Sequence, residues 1–149
     1  MNRSHAVAGT LMLVTSLGAN AGEMGTPPEA KDMSQKAAAL VNDKGNAAFD
    51  VFAAEDGGFV TKDLYVFWMD LDGKMLSRAK KPNLVGKILK DFNKYGDYLF
   101  QDMISVASKK GEGWVEYNWP YPGSEEIRAK TSYIIKNDKG FFCGVGAYK

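Results

Sequence analysis

Apolar positions recur at two periods along this chain, and the changes of period mark its elements. Over residues 29–54, Ala37, Leu40, Val41, Ala48, Val51 and Phe52 recur at helical spacing, and Pro27-Pro28 suits a helix start. The stretch NDKGN at 42–46 interrupts the pattern, so the segment is either two helices or one kinked helix, ended by Gly57-Gly58. Residues 64–71, LYVFWMDL, are a nearly unbroken apolar run rich in aromatic residues, the strongest strand signal in the chain. Asp72-Gly73 is a hairpin dipeptide, and residues 74–78 return antiparallel. A loop punctuated by Pro82 and Gly86 covers 79–97. A helix then follows over 98–109, with Leu99, Met103, Ile104, Val106 and Ala107 inward and Gly111 as its stop.

The period then changes to two. Residues 113–133, GWVEYNWPYPGSEEIRAKTSY, read as a hairpin with strands over 114–119 and 127–136, broken by Pro120, Pro122 and Gly123. Alternation puts Val115, Tyr117 and Trp119 on one face and Trp114, Glu116 and Asn118 on the other. The return strand offers Lys130, Ser132 and Ile134 on one face, and Ala129, Thr131, Tyr133 and Ile135 on the other. One register brings Tyr117 and Trp119 to Lys130: an apolar wall, a phenol donor and a cation, suited to a small carboxylate. The same aromatics also suit a half-buried pleated surface with no ligand at all. The turn NDKG at 137–140 leads to a last strand over 141–148. One long helix, two strands, a helix and three strands make an α+β domain on a five-stranded antiparallel sheet.

Composition narrows the chemistry. Of 149 residues, 45% are hydrophobic and 25% charged, which suits one globular domain. The first residues read as a secretory signal peptide. Arg3 precedes a short apolar stretch over 6–17, and Ala19-Asn20-Ala21 places cleavage after Ala21. Residues 1–21 are thus the expected leader, 22–58 a segment containing the long helix, and 59–149 the main domain, exported to the bacterial periplasm. Without the leader the basic and acidic counts are equal, which argues against nucleic acid as a partner. His5, the sole histidine, lies in the leader, and Cys143 is the sole cysteine. A histidine triad and a Cys/His metal cluster are therefore excluded, and no cofactor is implied. The D-x-D-G of Asp70 to Gly73 mimics a phosphatase motif with Asp70 as nucleophile and Asp72 as acid. Its continuation straight into another short strand favours a hairpin turn, and no catalytic residue is expected.

Taken together, GGFVTKDLYVFWMDLDGKML, PNLVGK, GEGWVEYNWPYP, AKTSY and FFCGVGAY, in that order, resemble the single Cache domain of the second type, over roughly residues 59–148. That resemblance implies a PAS-like extracellular sensor fold, opened by a long helix. The family's pocket positions fall on Tyr65, Phe67, Tyr117, Trp119 and Lys130, with Tyr133 close by. Arg78-Ala79 stands where the family often has His-Pro; Arg is the better bidentate partner for a carboxylate. Lys130 and Tyr133 have opposite parity, so a regular strand cannot turn both into one pocket.

The resemblance implies binding of a short organic acid of the acetate, propionate, lactate or pyruvate class. It further implies relay to a separate membrane receptor or histidine kinase, and it admits a homodimer through the long helix. Two rival readings are a docking module that binds no small molecule and, weakest, a phosphatase using Asp70 and Asp72.

Overall fold

The computed structural model describes residues 23–149; the expected leader lies outside the described residues. The first helix, α1 (Pro27–Lys44), opens with a capping box. The Thr26 hydroxyl accepts from the Glu29 amide, and the Glu29 carboxylate accepts from the Thr26 amide at 2.8 Å. Ala30, Met33, Ser34, Ala37, Ala38 and Val41 form its buried stripe. The NDKGN interruption becomes a helical turn of the tighter kind over Gly45–Ala48, followed by the short α2 (Phe49–Ala53). The two-helix alternative is therefore the one adopted.

Six strands form one antiparallel sheet: β1 (Val60–Thr61), β2 (Leu64–Asp70), β3 (Met75–Arg78), β4 (Glu112–Pro120), β5 (Ile127–Lys136) and β6 (Phe141–Tyr148). Their order is β1-β2-β6-β5-β4, with β3 also paired to β2. The sixth strand, absent from the sequence reading, is the two-residue β1, too short and too polar to leave a pattern. Asp70 closes the β2–β3 turn, its Oδ1 accepting from the amides of Asp72 and Lys74 at 3.0 and 2.8 Å. Asp70 is thereby a turn residue.

The sheet is covered on both faces, which explains why β2 is buried at every position from Leu64 to Met69 and shows no alternation. On one face, α1 and α2 pack against Leu64, Val66, Trp68, Cys143, Val145 and Ala147. Trp68 sits at the centre of this layer among Phe49, Phe52 and Phe141, with ring centroids 5.1–5.9 Å away. On the other face α3 (Leu99–Lys110) and the 79–98 loop cover Phe67, Met69, Tyr117, Trp119, Ile134 and Phe142. Within α3, Phe100 is buried where the sequence pattern placed Ile104 and Val106, which are only half-buried.

A buried hydrogen bond ties α1 to the middle of the sheet: Ser34 Oγ donates to the Tyr133 carbonyl at 2.8 Å. Small residues at Ala30, Ala37 and Ala38 let the helix lie close enough for that contact. Because the capping box is what starts α1, Thr26→Ala should lower stability by about 1 kcal/mol. Urea denaturation checks this, and an unchanged midpoint would mean that α1 needs no cap.

Candidate functional site

Strand parity and register build one cavity on the α3 face. Tyr65 and Phe67 point into it from β2, Arg78 from the end of β3, Tyr117 and Trp119 from β4, and Lys130 from β5. Phe67 is paired with Arg78, and Tyr117 with Lys130, as direct cross-strand partners. The Leu99, Phe100 and Met103 side chains of α3 form the roof, and Gly146 of β6 lies in the floor. At the cavity's mouth is a wider cleft that shares Tyr65 and Trp119 with it and is rimmed by Lys62, Lys81, Tyr121 and Tyr148. Among the described residues Lys62 and Lys81 are also the two non-glycines held at positive φ, 56° and 54°, a conformation that costs free energy and gathers at functional sites.

The electrostatics are unusual for an interior. Lys130 is 2% exposed and Arg78 is 7% exposed, yet among the described residues neither forms a salt bridge. Aromatic faces and phenols surround them instead. The Lys130 Nζ lies 4.9 Å from the Tyr65 ring centroid and 4.6 Å from that of Tyr148. The Arg78 guanidinium sits 5.0 and 5.2 Å from the Tyr65 and Trp119 centroids, and its Nη2 donates to the Tyr65 oxygen at 2.5 Å. Its Nε donates to the Lys80 carbonyl, which fixes the guanidinium plane. Burial pushes the Lys130 ammonium below its ordinary range, aided by the Arg78 charge and opposed by Tyr65. The Tyr117 hydroxyl pairs with Ser132 Oγ at 2.7 Å, and burial pushes its phenol upward, so it stays a neutral donor. Trp119 is held by the rings of Phe92, Tyr95 and Phe100 at 5.3–6.4 Å.

Six of the seven residues singled out from the sequence therefore meet around one cavity. Tyr133 does not. It lies on the α1 face, its hydroxyl donating to Glu112 Oε2 at 2.5 Å, its ring 5.0 Å from Trp114 and 4.9 Å from the Lys31 ammonium. Burial and then the Glu112 hydrogen bond push its phenol up to about 12. The reason is parity: β5 runs through 127–136 with an unbroken register to β4, so Lys130 and Tyr133 face opposite ways.

The sequence reading put Ser132 on the Lys130 face and Leu99 and Met103 inward without assigning them to the site, and it missed Phe100 and, above all, Gly146. A Cβ on Gly146 would stand 2.6 Å from Lys130 Cε, 2.6 Å from Ser132 Oγ and 2.9 Å from the Tyr117 oxygen. One on Gly144 would stand 2.4 Å from Phe67 Cζ. The signal was present as Gly144-Val145-Gly146, two glycines two apart and hence on one strand face. They clear the space over which the cavity's side chains lie.

A model of the Cache domain family matches residues 54–149. Over 85 residues the chain is 36% identical to the methyl-accepting chemotaxis protein McpP of Pseudomonas putida, a match that takes in 55% of this chain and 16% of that protein. The chain thus corresponds to a small part of that relative's length. A periplasmic sensor domain of a chemotaxis protein superposes with a TM-score of 0.63 at 27% identity, covering 80% of this chain and 87% of that one. A Cache chemosensory domain, described for its recognition of carboxylic acids, gives a TM-score of 0.63 at 26% identity over 80% and 85% of the two chains. A methyl-accepting chemotaxis protein from Vibrio parahaemolyticus shares the fold, with a TM-score of 0.67 at 23% identity over 81% and 86%. The chain belongs to the Cache-domain family of extracytoplasmic sensor modules. Among the described residues no helix is long and apolar enough to cross a membrane.

The Gly146 contacts generate a direct test of the cavity floor. Gly146→Ala should cost about 1–3 kcal/mol in urea denaturation, as overpacking does, and should displace the Lys130 side chain. A variant as stable as the parent would show that the floor has slack.

Proposed function

We propose that this domain senses a short organic carboxylate of the acetate, propionate, lactate or pyruvate class, bound in the α3-side cavity and relayed to a membrane receptor or histidine kinase. One observation carries the reading: two buried cations, Arg78 and Lys130, face one aromatic-walled cavity, and among the described residues no carboxylate forms a salt bridge with either. An unpaired buried charge is costly, and a ligand carboxylate is the chemical group that offsets two of them at once. Arg78 offers a planar fork, Lys130 a point charge and Tyr117 a neutral hydroxyl donor. Phe67 and Trp119 meet the alkyl tail. The likeness to a Cache domain described for carboxylic acid recognition points the same way.

Size selects against larger acids. The cavity volume is about 10 Å³, space for about one water. A four- or five-atom acid therefore enters as Lys130, Arg78 or Met103 changes rotamer, and that ordering subtracts from affinity. At a ceiling of about −1.5 kcal/mol per heavy atom, such a ligand reaches roughly −6 to −7.5 kcal/mol, so dissociation constants in the micromolar range or weaker are expected.

Lys130→Met keeps the side-chain volume and removes the buried charge. It should raise the melting temperature of the ligand-free domain and abolish the response to acid. In the parent, one or two short acids at about 100 times their dissociation constant should add about 2.7 kcal/mol of stability. A thermal-shift screen reads both. A flat screen of the parent sinks the carboxylate reading, and an undiminished response in folded Lys130→Met removes Lys130 from the site.

A further inference from the structure

One acidic side chain does face both cations, and it is a phenol. The Tyr65 oxygen accepts from Arg78 Nη2 at 2.5 Å, Lys130 stands over its ring, and the residue is buried. The other ionisable groups around it are few. Lys81 comes from the turn after β3, Tyr117 from β4 and Tyr148 from β6, with Asp63 just before β2. From α3 the cavity receives only Leu99, Phe100 and Met103, which carry no charge. Burial pushes Tyr117 and Tyr148 upward, so neither supplies an anion. Burial pushes Tyr65 upward as well, but the attraction of Lys130 and Arg78 outweighs it and leaves the phenol below its ordinary value.

We propose that Tyr65 is the internal anion of this site: as a phenolate it balances Arg78 and Lys130 in the ligand-free domain, and it takes up one proton as a carboxylate replaces it. The proton comes from solvent and forms the phenol O–H bond; no bond to the ligand is made or broken. The buried site then carries one net positive charge in both states, two cations against one phenolate or against one carboxylate. The burial cost of the charges is thereby kept nearly level between the two states, and anion exchange replaces anion capture. The protonated phenol becomes a donor to the ligand. The second half of this proposal rests on the carboxylate reading above; the first half stands on the free domain alone.

Linkage fixes the sign of the pH dependence. The complex holds one more proton than the free site, so affinity falls as pH rises through the range in which free Tyr65 is ionised, by up to about tenfold per pH unit. The experiment is a near-ultraviolet absorbance titration of the ligand-free domain, repeated with propionate and in two variants. One tyrosine should ionise well below the ordinary value of about 10. That transition should vanish in Tyr65→Phe, persist in Tyr117→Phe, and be reversed by propionate. Tyrosines that all ionise at or above about 10 would overturn the proposal, as would a low transition surviving in Tyr65→Phe, or propionate binding that leaves the phenolate signal unchanged. A Tyr65-dependent transition in a domain that binds no acid would uphold the phenolate and sink the carboxylate reading instead.

Discussion

Everything on the α3 face of this domain follows from placing two cations inside it. A charge taken out of water must be paired, solvated by other means or neutralised. Here the means are the quadrupoles of Tyr65, Tyr148 and Trp119, the Lys80 carbonyl and the Tyr65 oxygen. Such contacts are individually modest, about 0.5–2 kcal/mol for a cation over a ring, and they hold only if the rings cannot turn away. That demands the dense aromatic packing around Trp119 and the floor glycines that let Lys130 lie flat over β6. The hydrophobic layers are thus the means by which a polar site is kept poised.

The opposite face carries the stability that the site lacks. Trp68 of β2, Phe52 of α2 and Val41 of α1 are fully buried there. Burial of one such large side chain contributes roughly 1.5–3 kcal/mol, so a few of them offset the cost of the cations. The two faces meet at β5, which presents Lys130 and Ser132 to the cavity and the Tyr133 carbonyl to Ser34 of α1. The strand that holds the cation is therefore held in turn by the long helix.

Much of this was legible in the sequence because strand parity is an exact rule once a register is guessed. The pairing of Tyr117 with Lys130, the inward set Val115, Tyr117 and Trp119, and the opposite facing of Lys130 and Tyr133 all follow from counting by two, although Tyr133 was still counted with the site. Helix periodicity located α1 and α3, and the Asp72-Gly73 dipeptide located the first hairpin. Three things were not legible. The sheet is buried on both sides, which erases alternation in β2 and hides which face Tyr65 takes. The roof of the cavity depends on how α3 docks, a tertiary matter that placed Phe100 inward in preference to Ile104. The β1 strand is two residues long and exists only because β2 offers it an edge.

The site also shows why a lysine and an arginine at similar burial are not equivalent. Arg78 brings a charged hydrogen-bond donor to the Tyr65 oxygen, and that bond favours negative charge at that point. Lys130 can answer its desolvation by giving up a proton, and burial drives it in that direction. What opposes that loss is negative charge nearby, first from Tyr65. Under the anion exchange proposed for this site, an entering acid takes over that role from the Tyr65 phenolate, so Lys130 is an ammonium in both states. In that exchange Arg78 sets where the anion sits, and the Tyr65 proton registers which anion is there.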